Sequence, residues 1–325
     1  MTADIIKLLK AHYALTAESI THAQCGAGSD TYFAQCSEGR FVVKFPAASE
    51  MNSPENEPRL CELLLRNGIS VCRFLQNTNG EYITQSEHGI FTVQERISGR
   101  EYDWNTAPDW LLTDSAKTLG KIHTALKGCE GISVGIGEDF FRYMTPENAL
   151  RSYENSLEIA EQKGDTDIAT DLRYRIALME RFPRYEFDLA RLTRTATHGD
   201  YFISQLICGE DRINAVIDWT TACVHPAVWE LMRSYVYAAP ECAEGRIDVG
   251  RLTQYFGDYC GYSSLSEYDL KMAMPLFFYQ IAVCDYYGQY YGSNAANREL
   301  FLRQARLSTR LMRWFEEHAN EAIEV

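Results

Sequence analysis

The chain has 325 residues, 46% of them hydrophobic, and a formal net charge of −14. That is enough for two packed lobes, too apolar for a disordered chain, and too acidic to follow a nucleic-acid backbone, which needs a basic surface. The ten cysteines contain no CxxC pair, and no run of 18 apolar residues occurs, so neither a zinc module nor a membrane span is expected. Met1 to Lys10 lacks the apolar centre of a secretory leader, and scattered cysteines of this kind read as buried reduced thiols of a cytoplasmic protein.

In chain order, residues 3–13 have the spacing of a short helix, and 18–46 read as strands. Arg40-Phe41-Val42-Val43-Lys44-Phe45 is the clearest of these, entered through a hairpin turn at Ser37-Glu38-Gly39. Residues 54–67 return to helical periodicity, with Leu60, Cys61, Leu63 and Leu64 on one face. Val71 to Gln76 reads as a strand, Asn79-Gly80 as a turn, Tyr82-Ile83 as the start of a returning strand, and Ile90 to Ile97 as one more. After Gly99 the pattern becomes helical over 107–127, 146–163, 166–183, 265–291 and 295–318, with strand character returning at Ala215 to Trp219. The expectation is an α+β chain of two lobes: residues 1–97 as a small antiparallel sheet with one inserted helix, and 98–325 as a larger, mainly helical lobe. Clefts between lobes are favoured ligand sites.

The chemistry gathers in a few places. His198-Gly199-Asp200 is followed by Gln205, and an Asp with an amide five residues on has the spacing of a kinase catalytic loop. In such a loop the Asp accepts a hydroxyl proton and the amide oxygen holds a metal ion. Eighteen residues after Asp200, Asp218 ends the apolar run Ile213 to Ile217. A carboxylate there is costly unless paired, and magnesium on nucleotide phosphates is a fitting partner. Lys44, on an apolar strand, can reach the α- and β-phosphates, with Glu57 at the start of the 54–67 helix to hold it. Gly26, Gly28 and Ser29 lie between two strands, where small residues let backbone amides approach phosphates. The crossing segment, Gln94, Glu95 and Arg96 up to Ile97, is placed to offer backbone to an adenine.

These residues, in this order, resemble the aminoglycoside phosphotransferase and choline kinase family. The likeness runs from the Gly26 loop through Lys44, Glu57, Asn67-Gly68-Ile69-Ser70-Val71, Leu119-Gly120-Lys121-Ile122-His123, the His198 loop and Ile217-Asp218-Trp219 to Pro226 and Trp229-Glu230-Leu231. It implies a protein-kinase-like fold, ATP as donor, Mg2+, Asp200 as catalytic base, Asp218 and Gln205 as metal ligands, and a small hydroxylated acceptor on the helical lobe. Three positions depart from the family pattern. Gln205 stands for the usual Asn, which moves the amide oxygen by about 1.5 Å, one C–C bond. Glu230 stands for Asp, and the Asp218–Pro226 stretch is one residue shorter, with His225 near the place of an acid. The alternative these departures raise is a nucleotide-binding pseudokinase. Tyr279, Tyr286, Tyr287 and Tyr290, with Asp285, suggest an aromatic and acidic wall for an amine-bearing acceptor such as an aminoglycoside or amino alcohol. No nucleic-acid or membrane partner is expected.

Overall fold

The computed structural model describes residues 1–23, 29–46, 54–321 and 323–324. Helix α1 (Thr2–Tyr13) buries Ile5, Leu9 and Tyr13, the stripe its spacing predicts, and the Tyr13 hydroxyl meets Thr84 Oγ1 at 2.8 Å. Strands β1 (Ala17–His22), β2 (Asp30–Cys36) and β3 (Gly39–Phe45) follow as an antiparallel meander, turning at Ser37-Glu38. Helix α2 (Asn56–Arg66) comes next, then β4 (Thr84–Ser86) and β5 (Gly89–Glu95), which complete a five-stranded sheet in the order β1-β2-β3-β5-β4. β3 lies between β2 and β5, and its last three residues, Val43, Lys44 and Phe45, are all buried.

The strand expected over Val71–Gln76 is not formed. Val71 makes a single parallel bridge to Val216, and Phe74 a single antiparallel bridge to Gln94. The Val216 amide donates to the Ser70 carbonyl at 3.0 Å, whereas Leu75 and Glu95 exchange bonds with Val93 and Arg73 at 2.8 Å. The segment is divided between two partners, so it stitches the small sheet to the larger lobe and has no continuous ladder of its own.

The larger lobe contains α3 (Asp109–Ala125), α4 (Glu138–Tyr143), α5 (Pro146–Lys163) and α6 (Thr166–Glu180), then β6 (Arg194–Thr197), β7 (Leu206–Cys208), β8 (Ile213–Val216) and β9 (Cys223–Pro226). It ends with α7 (Ala227–Ala238), α8 (Val249–Cys260), α9 (Glu267–Val283), α10 (Tyr286–Gly292) and α11 (Ala295–His318). β6 pairs with β9 and β7 with β8, so the stretch from Arg194 to Pro226 is two short antiparallel pairs carrying loops between them. The helix expected over 265–291 is broken. Asp285 accepts from the Gly288 amide at 2.8 Å and caps a new helix, α10, while Ser152 and Ser156 donate to the same carboxylate at 2.7 and 3.1 Å. A side chain that offers the backbone such an alternative partner ends one helix and starts the next.

Two apolar cores result. One lies among α1 and the sheet, from Ile5 to Val93; the other fills the large lobe and also takes in Leu60, Cys61 and Leu64 of α2. Helix α2 therefore packs toward the residues that follow Asp218, which positions Glu57 for the site.

Candidate active site

Lys44 pairs with Thr31 of β2 and Thr92 of β5, so the sheet fixes its backbone on both sides. Its side chain is buried and its ammonium lies 2.8 Å from Asp218 Oδ1 and 3.6 Å from Glu57 Oε2. Glu57 is also buried, and its other oxygen accepts the Trp219 amide at 3.1 Å. One carboxylate thus holds both the lysine and the loop that carries Asp218. Asp218 sits in the left-handed region at φ 63°, an uncommon place for a residue with a side chain, and keeps 45% of its side-chain surface exposed. Burial of its inner part pushes the carboxyl up, but the charge and hydrogen bond of Lys44, helped by the Thr220 hydroxyl at 2.9 Å, outweigh this and hold it below the ordinary carboxylate value.

The loop after β6 is held as tightly. His198 is fully buried: its Nε2 donates to the Ile217 carbonyl at 2.8 Å and its Nδ1 accepts from the Asp200 amide at 3.3 Å. An amide can only donate and a carbonyl only accept, so the ring is the neutral tautomer with the proton on Nε2. It ties the backbone of Asp200 to the residue before Asp218. Gly199 has φ +83°, and a Cβ there would stand 2.0 Å from the Thr221 carbonyl, so only glycine fits. Beneath the loop lies Glu230 of α7, fully buried, which accepts from the His198 and Gly199 amides at 3.2 and 2.6 Å and from His123 Nε2 at 2.9 Å. Burial pushes this carboxyl up, and the hydrogen bond and charge of His123 more than reverse it.

His225 is buried and accepts the Ile136 amide on Nδ1 at 2.8 Å. Burial, helped by the nearby charges of Arg233 and Arg194 and opposed by Glu230, pulls its pKa down to about 4. It is a neutral packing residue lying 4.3 Å from the Trp229 ring.

Gln205 is half-buried, and its side-chain amide makes no hydrogen bond among the described residues. Its carbonyl accepts the Ile217 amide at 3.0 Å, which sets it beside the residue preceding Asp218. Gly26 and Gly28 lie outside the described residues; Ser29 is described and half-buried, at the entry to β2. On the crossing segment Gln94 is buried within β5, Glu95 lies 3.8 Å from Arg73, and the Arg96 guanidinium stacks on Phe33 at 3.8 Å. The Glu95 and Arg96 amides are spent on the Arg73 and Arg40 carbonyls, at 2.8 and 2.9 Å.

One residue of the site escaped the sequence reading. Arg233, on α7, makes an ion pair with Asp200 Oδ1. Its guanidinium lies 4.7 Å from the Tyr237 ring and 5.2 Å from that of Phe202. Burial acts against its charge, and the Asp200 carboxylate more than compensates. A signal existed: in the apolar run Ala227 to Ala239 the only charged residues are Glu230 and Arg233, and buried charges demand partners. The tyrosines behave differently from the expected wall. The break at Asp285 separates Tyr279, whose hydroxyl donates to the Met144 carbonyl at 2.9 Å, from Tyr287 and Tyr291, which donate to Asp171 and Asp165 at 2.6 and 2.9 Å.

Residues 19–268 match the family described as the phosphotransferase enzyme family, which is most of the chain and includes both loops. The chain belongs to that family. No curated protein matches it in sequence. Among solved structures, this phosphotransferase is similar to a spectinomycin phosphotransferase in complex with ADP and spectinomycin, at TM-score 0.64 and 16% identity, covering 95% of this chain and 97% of the other. It is similar to an amicoumacin kinase in complex with AMP-PNP and Ca2+, at TM-score 0.64 and 13% identity over 94% and 92% of the two chains. A macrolide 2'-phosphotransferase from Brachybacterium faecium aligns at TM-score 0.53 and 19% identity, over 93% and 97%. The kinase-like fold is common to all three, and the α+β architecture read from the sequence is the one observed.

Proposed function

We propose that this phosphotransferase moves the γ-phosphoryl group of ATP to a hydroxyl of a small organic molecule, with Asp200 as the base. The observation that carries the reading is the buried Lys44 ammonium gripped by Glu57 and Asp218, with Asp200 tied to the same strand end through His198. Few tasks other than binding polyphosphate account for a buried lysine shared between two carboxylates at the mouth of a second acidic loop.

In the proposed reaction the acceptor hydroxyl oxygen forms a bond to the γ-phosphorus. The bond from that phosphorus to the β-phosphate oxygen breaks, and the hydroxyl proton passes to Asp200. Asp200 chiefly orients the hydroxyl, because the step depends on positioning and electrostatics. Lys44 takes the α- and β-phosphates while Glu57 keeps its stem in place, and a flexible lysine can exchange Asp218 for phosphate. The donor set fits magnesium: Asp218 has an accessible carboxylate, and Gln205, whose side-chain amide is unengaged among the described residues, is joined through its backbone to the residue before Asp218. That ion supplies charge neutralisation for the phosphates. Gly26, Gly28 and Ser29 form the cover of the phosphates in this reading. The adenine edge falls to the Glu95 carbonyl and the Ile97 amide, which have no backbone partner among the described residues and stand two residues apart, the spacing that puts two groups on one edge of a strand. The ADP and AMP-PNP complexes of the similar structures support a nucleotide donor, and a reaction that consumes ATP suits the cytoplasm.

The test is release of ADP from Mg-ATP across amino-sugar, amino-alcohol, polyol and hydroxy-acid acceptors. Acceptor-dependent turnover is expected, with Asp200→Asn lowering kcat by about 10²–10⁴-fold while nucleotide affinity holds. Undiminished turnover in Asp200→Asn would remove the assigned base. Nucleotide binding without turnover on any acceptor would favour a pseudokinase.

A further inference from the structure

Two buried N–H donors on α7, one of them on the arginine paired with Asp200, lack a hydrogen-bond partner among the described residues: Trp229 Nε1 and Arg233 Nε. They are four residues apart on α7, so they share a face one turn apart, and the Arg233 guanidinium lies 5.9 Å from the Trp229 ring. An unpaired buried donor is a standing cost, and two adjacent ones call for a shared explanation. Neither group can accept a hydrogen bond, so what satisfies both is an acceptor. The surroundings agree. Trp104, whose ring lies 4.7 Å from Tyr237, carries a second guanidinium, Arg303, at 4.5 Å. The acids in this cluster, Asp200 and Asp103, are each already paired with an arginine.

We propose that Trp229 and Arg233 form an acceptor-side subsite that selects a molecule carrying a carboxylate close to the hydroxyl presented to Asp200. This rests on the phosphotransferase reading above and deepens it by naming the substrate class: hydroxy acids, in preference to the amine-bearing acceptors suggested by the tyrosine pattern. A guanidinium has five donors on a planar fork, so Arg233 can keep its bond to Asp200 through Nη2 and still serve a second carboxylate. Stacking on aromatic rings holds that fork in place, and burial strengthens its pull on an anion. A cationic acceptor has to approach Asp200 past a positive charge that it cannot displace without leaving Arg233 buried and unpaired. The same donors could also meet the oxygens of the transferred phosphoryl group, which share the oxyanion chemistry, and the experiment separates the two.

The full chain, saturated with Mg2+ and ADP, is titrated calorimetrically with three open-chain polyols matched in shape, gluconate, glucitol and glucamine, and separately with inorganic phosphate. Gluconate is expected to bind about tenfold or more tightly than glucitol, with glucamine weakest. Arg233→Met should erase the preference for gluconate, and Arg233→Lys should restore part of it. Trp229→Phe, which keeps an aromatic ring at the site but removes the indole N–H, should weaken gluconate several-fold and change glucitol far less. The proposal is overturned if glucamine binds as well as gluconate, if the preference survives both Arg233→Met and Trp229→Phe, if no gluconate binding is seen, or if only inorganic phosphate depends on these residues. ADP affinity is measured in the same samples, so a failure of the nucleotide reading shows up apart from a failure of the acceptor preference.

Discussion

The two aspartate loops of the site are built to the same plan from different materials. Each presents a partly exposed carboxylate, Asp218 or Asp200, gripped by one buried cation, Lys44 or Arg233. Each loop is held from below by a buried glutamate on a helix, Glu57 receiving the Trp219 amide and Glu230 the His198 and Gly199 amides. The difference lies in the cations. Lysine is a compact charge on a flexible stem and can trade Asp218 for a phosphate, whereas the arginine is clamped between aromatic rings and keeps its geometry. In the proposed reaction one half of the site exchanges partners, and the other holds a fixed direction.

A large effect on turnover should come from breaking the exchanging half. Lys44→Met is expected to lower kcat/KM by about 10²–10³-fold, the range for removing one preorganised charged group from a reacting site. Glu57→Gln keeps the lysine and should cost less, so a double-mutant cycle should give strongly non-additive losses. Additive losses would show that Glu57 does not act through Lys44.

Nearly as large, but in stability, is Glu230→Gln. The amide keeps one acceptor and turns an N–H toward the donors it should receive, so about 3 kcal/mol should be lost on denaturant unfolding. A variant that unfolds like the parent would mean that the loop is held elsewhere. His225 gives a smaller effect confined to a pH window. Its folded pKa of about 4 lies below the unfolded value of 6.5, so between them the unfolded chain binds more protons and stability falls as pH falls. The loss between pH 7 and pH 5 should be about 2 kcal/mol for this group and should disappear in His225→Gln. The depressed carboxyls of Asp218 and Glu230 act in the same direction but only below their unfolded values, nearer pH 4. An unchanged slope in the variant would assign it to another group.

The two halves also differ in how far the sequence reveals them. Lys44, Glu57 and Asp218 are marked locally, by a lysine in an apolar strand, an acid in a first helical turn and an acid at the end of an apolar run. Asp200 is marked by its spacing to Gln205. The helix bounds of α1, α5 and α11 follow from periodicity in the same way. Arg233 has no local pattern of that sort, because its meaning depends on Asp200, thirty-three residues away. The same holds for Val71–Gln76, which is divided between β5 and β8, and for the break at Asp285, which depends on Ser152 and Ser156 of α5. Periodicity records which face is apolar; it does not record which neighbour competes for the backbone.

The smallest expected effect on stability separates holding from reacting most cleanly. Asp218→Asn removes a charge that is nearly half exposed and therefore already screened by water, so its ion pair with Lys44 contributes little to folding. The left-handed backbone at this position favours the change, because asparagine occupies that region more readily than most residues. Lys44 keeps Glu57 as a partner, so no buried charge is abandoned. The unfolding free energy should therefore shift by less than about 1 kcal/mol while phosphotransfer is lost, with denaturation and turnover measured on the same protein. A loss of several kcal/mol would place Asp218 with Glu57 and Glu230 among the residues that hold the loops, and Lys44 would then be a structural cation before it is a phosphate ligand.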